Sequence, residues 1–175
     1  MNIDFTNIDY LKAGNERQKK AYLELNALGI FEKLQAYNPI LTGTIPIGID
    51  VPESDLDIIC ECSDHHQFAK TLKSHFGDKD GFKVRLNNTY KLKATIATFQ
   101  SGKFEIEIFG QQLPVLEQNA YKHMLIEHKI LNSKGEEFKA EVIQLKQKGL
   151  KTEPAFAQLL GLSGNPYEAL LRMEI

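Results

Sequence analysis

The sequence predicts an α+β protein with a mixed β-sheet of about five strands, flanking helices and a helical C-terminal part. Polar and apolar residues alternate at 55–58, 83–96 and 104–109, a pattern typical of half-buried strands. Apolar residues instead recur at helical spacing within residues 9–36 and again beyond residue 116. We therefore expect a central sheet that is preceded and followed by helices.

Length and composition are those of one domain, or of one domain with a helical extension. The chain has 175 residues, of which 42% are hydrophobic and 25% charged, as in ordinary globular proteins. We expect a core with N-terminal helices at residues 1–112 and a helical part packed on it at residues 113–175. The net charge of −2 supplies no overall basic field, which argues against nucleic acid as a partner.

The first residues carry neither the basic start nor the apolar run of a secretory signal. No apolar stretch approaches the ~20 residues that a membrane-spanning helix needs. Cys60 and Cys62 share one face of a strand, which is poor geometry for a disulfide, so reduced thiols are expected. A cytoplasmic protein without a membrane partner is the resulting prediction.

Local signals place the elements of the N-terminal half. Gly29 predicts a break between two helical segments of residues 9–36, and a short strand is expected at residues 40–42. Asp64 is a suitable N-cap for a helix that runs to about Phe76.

The second half begins with a predicted hairpin. A turn is expected at Asn87 and Asn88, between strands at 83–86 and 91–96. Further helices are predicted at 116–132 and 136–148. Two more helices are expected near the C-terminus, at 152–160 and after Asn165, where Pro166 follows the capping asparagine.

The most informative stretch is LTGTIPIGIDVPESDLDI, residues 41–58. Asp55 and Asp57 lie two residues apart on a predicted strand, so both carboxylates project from the same face, roughly 6.5–7 Å apart at the backbone. Two such carboxylates could hold a hard divalent cation and would repel each other without one. Gly43, Thr44 and Gly48 supply backbone that an anion can approach closely. The combination indicates a site for phosphate with magnesium.

These residues, together with Ser54, resemble the fingerprint of the DNA polymerase β-like nucleotidyltransferase superfamily. The resemblance covers about residues 40–110. It implies that Asp55 and Asp57 bind Mg²⁺ or Mn²⁺ and act in catalysis. It also implies phosphate binding by Gly43, Thr44, Gly48 and Ser54, with a third carboxylate from a later strand.

One position departs from the family pattern. Many small members of the superfamily carry a basic residue just before the second glycine, where this chain has Ile47. Phosphate binding is therefore expected to be weaker, or to use a differently built site.

Two residues are candidates for the third carboxylate. Glu105 and Glu107 share one face of the last predicted strand, and Glu107 is favoured because it lies between two isoleucines nearer the strand centre. Both could instead face solvent. The basic residues of the hairpin could lie on the same open face and neutralise a triphosphate, and these are Lys83, Arg85, Lys91 and Lys93.

His123 and Glu127 are four residues apart on a predicted helix and are therefore neighbours on one helix face. They could form a surface ion pair, which the sequence favours. Alternatively, they could line the cleft and contact a base or an acceptor.

Over nearly its full length the chain is similar to a bacterial family of small nucleotidyltransferase-like proteins of unassigned function, through GIDVPESDLDI, IEIFGQ, HMLIEH and TEPAFAQLL. The resemblance implies transfer of a nucleoside monophosphate from a nucleoside triphosphate to a hydroxyl or amine on an unknown small-molecule or protein acceptor. The alternative is a non-catalytic nucleotide-binding or regulatory protein that retains the fold, for example a toxin–antitoxin partner.

Overall fold

One mixed sheet forms the centre of the computed structural model, which describes residues 3–88 and 92–173. In these ranges its five strands are β1 (Ile40–Thr42), β2 (Leu56–Glu61), β3 (Lys83–Asn87), β4 (Ala94–Ser101) and β5 (Phe104–Gln111). Their order across the sheet is β1-β2-β5-β4-β3. Only β2 and β5 run parallel, and the other neighbours are antiparallel. The predicted α+β fold class is confirmed.

Helices precede and follow the sheet. The α-helices of the described ranges are α1 (Glu16–Leu28), α2 (Ile30–Lys33), α3 (His65–Phe76), α4 (Asn119–Lys134), α5 (Glu136–Gln147), α6 (Thr152–Leu160) and α7 (Pro166–Leu171). Short 3₁₀ turns lie at Asp9–Ala13, Gln35–Tyr37 and Val115–Glu117. No helix in the described part of the chain is long and apolar enough to cross a bilayer.

Capping side chains define several helix ends. Asn15 and Gln18 form a capping box at the start of α1, and Gly29 ends that helix in the left-handed conformation with φ of 63°. The Asp64 side chain accepts a hydrogen bond from the Gln67 amide at the start of α3. At α7, Asn165 accepts from two backbone amides ahead of a proline in the first turn.

The principal hydrophobic core lies between one face of the sheet and helices α1 and α3. Leu56 and Ile58 of β2 and Ile106 and Ile108 of β5 are fully buried there. Helices α1 and α3 contribute Ala21, Leu25, Phe68, Leu72 and Phe76 to the same cluster. Because side chains alternate along a strand, Asp57 and Glu107 are left for the opposite face.

A second apolar cluster joins the C-terminal helices to earlier parts of the chain. It contains Met124, Val142 and Phe156, together with Phe5 and Ile49 from the N-terminal part. The packing of these helices thus includes residues from before position 113. The proposed division at residues 112 and 113 stays a prediction.

The predicted hairpin is confirmed, because β3 and β4 pair antiparallel, but two of its details are wrong. Asn87 pairs with Ala94 as the last residue of β3 and therefore belongs to the strand, not to the turn. The second strand runs from Ala94 to Ser101, not over 91–96. Of the hairpin residues, Lys91 lies outside the described ranges.

Gly110 of β5 allows α3 to approach the sheet. A Cβ atom at this position would collide with the Phe68 ring and would lie 3.0 Å from Cys62 Sγ. We expect Gly110→Ala to lower the free energy of unfolding by about 1–3 kcal/mol, because the buried ring must move. Urea unfolding measures the change, and exposed Gln112→Ala should stay within about 0.5 kcal/mol of the wild type. An unchanged Gly110→Ala variant would contradict this packing.

Candidate active site

A cleft of about 1340 Å³ opens on the face of the sheet that carries the acidic residues. Strands β2 and β5 form its floor, and the segment between β1 and β2 forms one side. Helices α4 to α7 contribute the remaining walls. The polar or charged residues at its surface include Thr44, Ser54, Asp55, Asp57, Glu107, Gln118, His123, Glu127, Lys146, Lys151, Glu153 and Arg172.

The strand register brings three carboxylates to this cleft. Asp57 lies directly beside Glu107 in the parallel pair of β2 and β5. Asp55 lies one residue before β2 and lines the same cleft as Asp57 and Glu107.

Burial and mutual repulsion shift these carboxyl groups in the same direction. The pKa of Asp57 is raised well above its ordinary value, first by burial and then by the charges of Asp55 and Glu107. Burial is also the main cause of the raised pKa values of Asp55 and Glu107. Ionising these groups together therefore costs free energy, which a bound cation would offset.

The chemistry of this donor set suits a hard divalent cation, because Mg²⁺ and Mn²⁺ prefer carboxylate oxygens. In residues 3–88 and 92–173, however, no three His, Cys, Asp or Glu side chains are already gathered as a metal-binding cluster. The role of Asp55, Asp57 and Glu107 as metal ligands stays a prediction.

Gly43 allows the cleft to close around Asp57. Its φ is +84°, and a Cβ at this position would collide with Asp57 Oδ2. Next to it, Thr44 Oγ1 donates to Ser54 Oγ over 3.2 Å, and Ser54 Oγ accepts from the Val51 amide over 2.9 Å. Gly43, Thr44 and Ser54 thus line the cleft beside the carboxylates.

The segment between β1 and β2, residues 43–55, is held from two sides. Arg17 of α1 donates to the carbonyls of Pro52 and Ser54 and contacts Asp50 over 3.2 Å. From α5, Lys146 Nζ donates to the Ile49 carbonyl over 2.8 Å. These contacts fix the segment that positions the phosphate-binding candidates.

Other predicted site residues lie away from the cleft surface. A Cβ at Gly48 would point toward Lys139 and Asn15. Glu105 is exposed and accepts from Gln100, whereas Glu107 lines the cleft. Arg85 shares the face of Glu107 through the strand register. Burial raises the pKa of Glu107, and the charge of Arg85 opposes this effect. Lys93 is exposed between β3 and β4.

The interpretation of His123 and Glu127 as a surface ion pair is wrong. The two residues are only 7% and 4% exposed, and both line the cleft. His123 instead contacts Glu153 of α6, with 3.7 Å between Nδ1 and Oε1. They are buried because α7 packs against α4 and Glu153 of α6 contacts His123, tertiary contacts that helical spacing does not reveal.

Two cleft residues were not predicted from the sequence. Lys146 is buried, which lowers its pKa to about 8, and its charge acts on Glu127, Asp50, Glu153 and Asp55. Glu153 approaches His123 from a helix that begins 25 residues after Glu127. Lys146 lies among other lysines in an amphipathic helix, so no local signal distinguishes it.

The fold and the acidic cleft define a protein with the nucleotidyltransferase fold. The chain belongs to the family described as Domain of unknown function (DUF4269), which matches residues 23–173. No curated protein matches the sequence.

Solved structures of Cid1 share the fold. Cid1 poly(U) polymerase with Mg 3′-dATP bound is 14% identical over 89% of this chain and 48% of its own, with a TM-score of 0.55. A Cid1 structure described for RNA terminal uridylyl transferase activity is 13% identical over 75% of this chain and 41% of its own, also with a TM-score of 0.55. The chain thus spans less than half the length of these neighbours.

The crowded carboxylates predict a pH dependence of stability. The pKa of Asp57 is higher in the folded protein than in the unfolded chain. Between these two pKa values the folded state binds more protons than the unfolded state. The free energy of unfolding therefore falls as pH rises through this window. We expect Asp57→Asn to reduce this fall and to leave the metal-free protein at least as stable at neutral pH. Urea unfolding at about pH 5 and about pH 7.5 measures it.

Exposed Asp78→Asn is the control and should keep the wild-type pH dependence. A marked loss of stability in Asp57→Asn at neutral pH would show that this carboxylate stabilises the fold, and would count against a metal site.

Lys146 is expected to stabilise the segment between β1 and β2. Lys146→Met removes the hydrogen bond to the Ile49 carbonyl and leaves Glu127 without its nearby positive charge. The free energy of unfolding should fall by about 1–3 kcal/mol. Lys148→Met, two residues away and exposed, should change it by less than about 0.5 kcal/mol. Equal effects in chemical denaturation would refute this role.

Proposed function

We propose that this protein transfers a nucleoside monophosphate from a nucleoside triphosphate to a hydroxyl or amine acceptor, with Mg²⁺ or Mn²⁺ as cofactor. The observation that carries the proposal is the register of β2 and β5, which places Asp57 beside Glu107 in a cleft that Asp55 also lines. The fold shared with Cid1 poly(U) polymerase, for which a complex with Mg 3′-dATP is known, supports it.

In this proposal Asp55 and Asp57 hold the magnesium ion, and Glu107 either helps to hold a second ion or acts as a base toward the acceptor. The metal, when bound, supplies positive charge that stabilises the oxygens of the reacting phosphate. Thr44 and the backbone near Gly43 hold the phosphates of the nucleotide.

The reaction proposed is a direct displacement. The acceptor oxygen or nitrogen forms a bond to the α-phosphorus while the bond to the pyrophosphate oxygen breaks. The acceptor's proton passes to Glu107 or to solvent. No covalent bond to the protein is needed, so the residues act by orienting the two substrates and by charge.

The cleft is large enough to hold two substrates. A pocket for one small ligand typically encloses about 300–1,000 Å³, and the cleft measures about 1340 Å³. The carboxylates on the sheet lie on one side of this space, and α4 and α6 supply His123, Glu127 and Glu153 on the other. The nucleotide would occupy the first side and the acceptor the second.

The alternative of a non-catalytic nucleotide-binding or regulatory protein is favoured by one observation. Ile47, at a position that is basic in many small members of the superfamily, is only 6% exposed and packs with the C-terminal helices. Lys146 and Lys151 are cations of the cleft that could contact the triphosphate instead.

A bacterial origin and a cytoplasmic location stay predictions.

Glu105 and Glu107 provide a matched pair for testing the proposal. Glu107→Gln should lower pyrophosphate release from nucleoside triphosphate by about 10²-fold or more, because several kcal/mol of transition-state stabilisation depend on the metal. Glu105→Gln removes the same charge from the same strand outside the cleft, and should keep activity within about threefold of the wild type.

The assay uses the four ribonucleoside triphosphates with Mg²⁺ or Mn²⁺, and calorimetry measures nucleotide binding with and without the metal. Metal-dependent binding without turnover over a broad acceptor panel would favour the non-catalytic alternative. Absence of metal-dependent nucleotide binding would refute the proposed function.

A further inference from the structure

Three hydrogen-bond acceptors line the side of the cleft formed by α4 and α6. They are Nδ1 of His123 and the carboxylates of Glu127 and Glu153, and all three residues line the cleft. His123 and Glu127 follow one another on the inner face of α4, and Glu153 lies in the first turn of α6. We call these three residues the acceptor triad.

The orientation of the His123 ring follows from its hydrogen bond. His123 Nε2 lies 2.9 Å from the Tyr167 carbonyl oxygen, which can only accept, so the proton of the neutral ring is on Nε2. Nδ1 then presents a lone pair to Glu153 Oε1 at 3.7 Å. At 3.7 Å this contact is too long for a hydrogen bond, so it leaves the Glu153 carboxylate unsatisfied.

Glu127 lacks a partner as well. Glu127 is only 4% exposed. No donor among the described residues lies within hydrogen-bonding distance of its carboxylate. The nearby Lys146 donates to the Ile49 carbonyl and forms no ion pair with Glu127 within 4.0 Å in the described part of the chain. A buried acid without a donor is costly, because burial removes the water that would otherwise solvate it.

The charges around the triad leave room for a cation. Its two carboxylates face one buried lysine, Lys146, while Lys151 is exposed at the edge of the cleft. The described residues contain no ready cluster for a metal ion here. An ammonium group has three N–H donors and a positive charge, and could therefore satisfy several of these acceptors together.

We propose that the acceptor triad binds a protonated amine, and that the second substrate is a small hydroxylated amine held by its ammonium group. This assignment of the substrate rests on the proposed nucleotidyl transfer. The ammonium group anchors the molecule on α4 and α6. A hydroxyl elsewhere on the same molecule is then free to reach the α-phosphorus beside Asp57 and Glu107.

Binding can be measured without metal or nucleotide. The probe is 1,3-diamino-2-propanol, and glycerol is its neutral counterpart of similar shape. The protein contains three methionines, one of which, Met124, is adjacent to His123 and lines the cleft. With ¹³C-labelled methionine methyl groups, NMR titration at constant ionic strength reports on the triad through Met124.

We expect the diamine to shift the Met124 signal with an affinity at least about tenfold higher than that of glycerol, as charge-assisted hydrogen bonds imply. Glu127→Gln should reduce this preference to about threefold or less, and Glu153→Gln should reduce it in the same direction. Glu168→Gln is the matched control. Glu168 also lines the cleft but is exposed and paired with Arg172, so the preference should remain.

Equal binding of diamine and glycerol, or a preference unchanged in Glu127→Gln, would overturn the proposal. An equal loss in Glu168→Gln would also overturn it, because the cleft would then attract cations without a defined site. Metal-dependent nucleotide binding is measured on the same samples. If it persists while amine binding fails, only the triad assignment is lost; if it fails while the amine binds, the proposed nucleotidyl transfer is lost and the amine site remains.

Discussion

The structure depends on the parallel pairing of β2 with β5. These two strands are 43 residues apart in the chain, counting from Glu61 to Phe104, and their register sets Asp57 against Glu107. The apolar residues that alternate with them face α1 and α3 in the principal core. A shift of one residue in either strand would move a carboxylate into that core and an isoleucine into the cleft. Burial of the core therefore fixes the position of the acids.

This arrangement sets stability against function. Burial and neighbouring charges disfavour ionised carboxylates at Asp55, Asp57 and Glu107. The fold maintains them because the hydrophobic residues on the other face of the same strands offset the cost. A fourth acid, Glu127, lies across the cleft, and burial raises its pKa as well. Unfavourable charge is thus concentrated on the surfaces that would contact ligands, while the core between the sheet and α1 and α3 consists of apolar residues.

Local patterns were sufficient for four of the five strands, for most helix boundaries and for the alternation that puts Asp55, Asp57 and Glu107 on one face. The strand centre favoured Glu107 over Glu105 as the third carboxylate; Glu107 lines the cleft, and its role there stays a prediction. The C-terminal side of the cleft could not be predicted in this way. Its composition depends on how α5, α6 and α7 pack against α4, and helical periodicity does not specify which helices meet.

The hairpin shows another limit of local reasoning. Two consecutive asparagines are a common turn signal, yet Asn87 belongs to β3 because its pairing with Ala94 extends the sheet. The pairing of β3 with β4 therefore outweighed the local preference of Asn87 and Asn88 for a turn.

The attachment of residues 43–55 to both Arg17 and Lys146 has a consequence for synthesis. A chain emerges from the ribosome in order, and its N-terminal parts can fold first. Strands β1 to β5 are complete by residue 111, but the Ile49 carbonyl gains its partner from α5 only 35 residues later. A nascent chain can thus form the sheet while the segment beside the carboxylates still lacks one of its anchors. In this order of synthesis the cleft is completed after the sheet, because α6 and α7, which form its remaining walls, follow the five strands in the chain.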